Sequence, residues 1–106
     1  MFILPFPPSV LNPNTRAHWS KKAGAAKKYR SDCAWIASRY PAMKKFKITF
    51  RPPRAGKRDR DNLIAAFKAG QDGLADAWGI DDSLFEITYA PLGEKLKDGG
   101  VIVEAV

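Results

Sequence analysis

Lys45-Phe46-Lys47-Ile48-Thr49-Phe50-Arg51, followed at once by Pro52-Pro53, is the stretch from which the fold can be read. Phe46, Ile48 and Phe50 share one face of an extended chain, and Lys45, Lys47, Thr49 and Arg51 share the other. Side chains alternate across a strand, so this pattern predicts a half-buried strand, and two prolines without amide hydrogens end it. Upstream, Phe2 to Phe6 reads as a short strand stopped by Pro7-Pro8, and an Asn/Pro loop follows at 12–15. Ser20 is a suitable N-cap for a helix running to about Tyr40, where Pro41 stops it. Its apolar positions Ala26, Tyr29, Cys33, Ile36 and Tyr40 recur at helical spacing.

Downstream, a basic loop (Arg54 to Arg58) leads into Asp59-Arg60-Asp61-Asn62. A second helix is predicted from about Asp61 to Asp76. Gly79 allows a turn into Ile80-Asp81-Asp82-Ser83, the alternation of Phe85, Ile87 and Tyr89 predicts a third strand, and Val101 to Val106 a fourth. The order β-α-β-α-β-β predicts one α+β domain over residues 1–106, a mixed four-stranded sheet covered by two helices. The last two strands are expected to pair antiparallel through a short connection.

Composition narrows the function classes. The chain has 106 residues, enough for one domain with a modest core, so a second copy would add useful stability. Eighteen Lys and Arg against 11 Asp and Glu give a net charge of +7, which suits a polyanionic partner. A single cysteine, Cys33, allows no internal disulfide and suits a reducing cytoplasm. No apolar run approaches the ~20 residues of a membrane span. Residues 1–8 have no basic start and break at proline, unlike a secretory signal.

Lys57 to Asp82 carries the chemistry. On a wheel of about 100° per residue, Leu63, Phe67, Gly70 and Leu74 form a core stripe, while Asp61, Lys68 and Asp72 cluster on the opposite side. Asp59 and Asp61 sit two apart where the helix begins, and Asp81-Asp82 recurs after it. Taken one at a time, such acids are ordinary caps and ion-pair partners. Grouped around one helix in a cation-rich chain, they form the hard oxygen donor set that Mg²⁺ or Mn²⁺ takes. Divalent ions held this way activate water and neutralise charge in phosphodiester cleavage.

Arg58-Asp59-Arg60-Asp61-Asn62-Leu63, then Lys68 and Asp72, then Gly79-Ile80-Asp81-Asp82, resemble the signature of RusA-type Holliday junction resolvases. Leu4-Pro5-Phe6-Pro7-Pro8-Ser9, Asn14 and Lys28-Tyr29-Arg30 are similar to that family's N-terminal segment. The resemblance covers nearly the whole chain. It implies a homodimeric endodeoxyribonuclease that uses Mg²⁺, with Mn²⁺ able to substitute, to cut four-way DNA junctions by paired nicks in recombination and repair, often encoded by a phage or prophage. It implies metal binding and catalysis at Asp59, Asp61 and Asp82, and phosphate contact or catalytic support at Arg58 and Lys68.

Further DNA contacts are expected from Lys57, Arg16, Lys21, Lys22, Lys28 and Arg30. The family's lysine lies four residues after the second motif aspartate, where this chain has Ala65; Lys68 lies seven residues after it. A helix starting later would bring Lys68 to the same place. A DNA-binding protein without cleavage activity and a nuclease for other branched DNA are the alternatives. His18 is expected to be a surface or hydrogen-bonding group, and Trp19, Trp35 and Trp78 core or dimer-contact residues.

Overall fold

The computed structural model describes residues 1–56 and 58–106. Strand β1 (Phe2–Leu4) is followed by a 3-10 turn (Ser9–Leu11) and helix α1 (Trp19–Ala37). Strand β2 (Lys45–Arg51) comes next, then helices α2 (Arg60–Ala66) and α3 (Lys68–Trp78), a second 3-10 turn (Asp82–Leu84), β3 (Glu86–Tyr89) and β4 (Gly100–Ala105). The domain is α+β with a mixed four-stranded sheet, as the sequence predicts, and β2 has the bounds its alternation gives.

Strand order is β1-β4-β2-β3. β4 runs antiparallel to both β1 and β2, while β3 runs parallel to β2 at the sheet edge. The expected antiparallel pairing of the last two strands is therefore wrong, because their connection is no tight turn. Residues 90–99 first extend along β2, with Ala90, Gly93 and Leu96 amides donating to the Ile48, Phe50 and Pro52 carbonyls. The chain then turns at Asp98-Gly99, both at positive φ, beside Pro53, and returns on the other side of β2 as β4. Position 99 requires glycine twice over, since a Cβ there would sit 2.8 Å from that of Phe6.

The inward row of β2 (Phe46, Ile48, Phe50) is fully buried and lies opposite Ala105, Val103 and Val101 of β4. Phe2 and Leu4 extend that face on β1, and Tyr29, Cys33, Ala37, Phe67 and Leu74 close over it from the helices. Burial pushes the Cys33 thiol up to about 12, so it stays protonated and acts as a small apolar group. The Tyr29 hydroxyl, raised in pKa mainly by burial, donates to the Pro5 carbonyl at 2.5 Å and ties α1 to the segment after β1.

The helices differ from the sequence expectation in their bounds. The cap of α1 is His18 rather than Ser20, its Nδ1 accepting the Ser20 amide at 3.2 Å, and the helix ends at Ala37. The predicted helix 61–76 is two helices, broken at Phe67, whose φ and ψ are −80° and −4°. No glycine or proline marks the break. Its ring is fully buried, edge-on to Phe50 and Tyr29 at 5.8 and 6.3 Å between centroids, so the break falls at the residue the core holds most tightly.

α3 lies against α1 where Gly73 faces backbone: a Cβ there would stand 2.5 Å from the Arg30 carbonyl oxygen. Gly73→Ala should therefore lower stability by about 1–3 kcal/mol through overpacking, despite alanine's better helix propensity. Gly24, within α1 and with nothing near its missing Cβ, is the control. Gly24→Ala should stabilise by about 0.5–1 kcal/mol. Thermal melts should show Tm moving in opposite directions, and an unchanged or raised Tm for Gly73→Ala contradicts the close-contact account.

Candidate active site

The acids separate into two groups. Asp59 is the N-cap of α2: its Oδ1 accepts the Asp61 amide at 2.9 Å, satisfying one of the unpaired donors at the helix start. Asp61 follows in the first turn, where its negative charge is favoured by the helix dipole. Its carboxylate has no hydrogen-bond or ion-pair partner among the described residues.

The late pair divides its work. Asp81 caps the 3-10 turn by accepting the Ser83 amide at 3.0 Å, and that bond holds its carboxyl below the usual carboxylate range. Asp82 instead accepts from the Lys68 ammonium, which also donates to Asp72 Oδ1 at 2.9 Å. The two carboxylates, Asp82's first, raise the Lys68 pKa, so the amine remains charged. Arg30 from α1 grips Asp76 of α3 through Nε and Nη2 at 2.6 and 2.8 Å, one helical turn beyond Asp72. Arg60 donates to the Tyr89 carbonyl at 3.2 Å, linking the start of α2 to β3.

Lys68 meets Asp82 by a route the sequence did not suggest. α2 starts at Arg60, so the helix is not delayed. The break at Phe67 makes Lys68 the first residue of α3, and it bonds Asp82 and Asp72 rather than Asp61. Asp61 and Lys68 are separated by roughly 10 Å along an ideal helix axis.

Among the described residues, no three His, Cys, Asp or Glu side chains converge closely enough to hold a metal ion as they stand. The donor chemistry nevertheless suits Mg²⁺: carboxylates only, and a cation already seated against Asp72 and Asp82.

The expected DNA contacts are also divided. Arg16, Lys21 and Arg58 are exposed and Lys22 half-buried, whereas Lys28 is paired with Asp32 at 2.8 Å and Arg30 with Asp76. As arranged, Lys28 and Arg30 are ion-pair partners rather than open cations. Lys57 lies outside the described residues. Arg54 was passed over as a site residue, although the basic loop carrying it was visible in the sequence. It lines a concavity of about 390 Å³ together with Arg58, Phe6, Pro8, Pro53 and Leu63. His18 is a hydrogen-bonding cap, as expected, and Trp78 is packed on Phe46 and Phe85, whereas Trp19 and Trp35 are exposed. Among the described residues, no helix is long and apolar enough to cross a membrane.

The fold and this cluster define a small single-domain α+β protein with a lysine bridging two acids at the start of α3 and a separate concavity rimmed by Arg54 and Arg58. It belongs to the same family as an uncharacterized protein of Xylella fastidiosa (strain Temecula1 / ATCC 700964). The two are 33% identical over 109 residues, covering 94% of this chain and 71% of that one. No family model matches the chain.

Asp59 gives a test that separates folding from chemistry. Asn caps as well as Asp, so Asp59→Asn should leave Tm nearly unchanged, whereas Asp59→Ala should cost about 1 kcal/mol. Urea unfolding of both variants measures this, and equal losses would show that the cap contributes nothing.

Proposed function

We propose that this protein is a Mg²⁺-dependent, structure-selective endodeoxyribonuclease that resolves four-way DNA junctions by paired nicks, acting as a homodimer in the cytoplasm. The observation that carries the reading is the seating of Asp82 on Lys68 and Asp72. This draws an acid 21 residues beyond Asp61 onto the helix pair that Asp59 and Asp61 open. Asp82, unlike Asp81, is joined through Lys68 to Asp72 of α3, which supports Asp82 as the working member of the pair.

In this reading Asp59, Asp61 and Asp82 would hold the ion, and Mg²⁺ when bound would acidify the attacking water and neutralise charge on the phosphate. The water oxygen adds to phosphorus as its proton passes to solvent, one P–O ester bond breaks, and the leaving alkoxide takes a proton back from solvent. Lys68, charged and half in solvent, opposes the charge that grows on the phosphate oxygens. Arg58, beside Asp59, binds a flanking phosphate. A two-fold dimer presents two such sites to a roughly two-fold junction. The charge of +7 supports association with DNA, at a strength that falls steeply with salt.

A labelled four-way junction and a linear duplex of equal length, each with and without Mg²⁺, test the activity. Cutting of the junction alone, only with metal, is the expected result. Asp59→Asn, Asp61→Asn and Asp82→Asn should each slow single-turnover cutting ~100-fold or more while junction binding persists. Asp81→Asn should cut nearly normally. Lys68→Ala should slow cutting strongly and weaken binding little. Wild-type binding without metal-dependent cutting leaves a DNA-binding protein, and normal cutting by Asp82→Asn removes the site assignment.

A further inference from the structure

The concavity beside Asp59 has two chemically distinct parts. Its wall is apolar: Phe6, Pro8, Pro53 and Leu63 line it, and Gly99 approaches the base of the Phe6 side chain so closely that a Cβ there would stand 2.8 Å from the Phe6 Cβ. Its rim is cationic, with exposed Arg54 and Arg58, and the Arg58 guanidinium stands 5.7 Å from the Phe6 ring centroid. One acid, Asp98, also lies on the rim.

A flat apolar wall suits a planar ring, and two guanidiniums suit a phosphate attached to it. Asp98 would repel a bare phosphate yet can accept from the amino or imino group of a base. We infer that this pocket receives one unstacked nucleobase of branched DNA, lying along Phe6 in the place the Arg58 guanidinium holds over the ring, with Arg58 turned, together with Arg54, onto its phosphate. This inference rests on the proposal that the protein binds branched DNA. Arg58 directly precedes Asp59, so a nucleotide anchored here lies next to the strand presented to the carboxylates. Bases at a branch point are poorly stacked, and extruding one costs less there than within a duplex. The pocket thereby favours branched over linear DNA without reading its sequence.

The full chain should be titrated, without metal, into four-way junctions carrying 2-aminopurine at each branch-flanking position in turn. Its fluorescence should rise severalfold at one position or more when protein saturates the junction, as the base leaves its stack. Ser9→Leu, at an exposed position on the pocket mouth, and Phe6→Leu, which keeps an apolar wall but removes the ring, should both abolish the rise. Both should weaken binding about 10-fold. Arg54→Ala should reduce the dependence of log affinity on log salt by about one.

In a parallel NMR titration, dAMP should shift the amides of Phe6, Asn12 and Leu63, and inorganic phosphate should not. A saturated junction with unchanged fluorescence at every position overturns the inference, as does phosphate alone reproducing the dAMP shifts. Cutting without a fluorescence change removes the pocket and leaves the nuclease. A fluorescence change without metal-dependent cutting does the reverse. Failure to bind any branched DNA removes both.

Discussion

Burial of the Phe67 ring beneath α1 and against β2 is the constraint on which the arrangement of the candidate site depends. The ring meets Phe50 and Tyr29 edge-on, and Gly70 leaves room for it, since a Cβ there would come within 2.5 Å of its Cε1. Beyond Phe67, α3 lies against α1, with Gly73 facing the Arg30 carbonyl and Arg30 gripping Asp76. The opening of α3 is thereby presented to the 3-10 turn that carries Asp82. The glycines cost helix propensity, and the packing they permit offsets that cost.

Electrostatics at this end follow from the same geometry. Three acids of α3 and the following turn (Asp72, Asp76, Asp82) are balanced by two cations, Lys68 and Arg30, drawn from two helices. These pairs are largely exposed and add little to stability. Their consequence is placement. Lys68 holds Asp82 by a contact that an incoming cation or phosphate can replace, because every partner is open to solvent. At the other end of α2, Asp59 is occupied by its cap while Asp61 projects from the first turn with no partner among the described residues. A metal held by these acids would take the Asp82 carboxylate that Lys68 now holds, so lysine and metal would compete for it in the proposed chemistry.

Much of this was legible in the residues. Alternation at Phe46, Ile48 and Phe50 determined β2 with its bounds, because a period of two with a polar opposite face admits no helix. The α+β class followed from the order of elements. Hydrophobic spacing also identified Leu63, Phe67, Gly70 and Leu74 as the buried stripe. These features are local, and local pattern encodes them.

Other features depend on partners distant in sequence. β4 lies between β1 and β2 because residues 90–99 follow β2 to Pro52 before turning, and strand order depends on where such a connection packs. The helix break at Phe67 has no propensity signal, since Ala65-Ala66-Phe67-Lys68-Ala69 is sound helical sequence, and it falls where the core holds the ring. Arg30 read as one cation among several until α3 brought Asp76 within 2.6 Å. The pocket of Phe6, Arg54 and Arg58 joins residues up to 52 positions apart. Sequence by itself determined the order of strands and helices, the alternating row of β2 and the apolar stripe of Leu63, Phe67, Gly70 and Leu74, because those depend on each residue and its near neighbours. The tertiary structure decided which acids meet which cations, because those meetings depend on how buried rings and missing Cβ atoms let the helices pack.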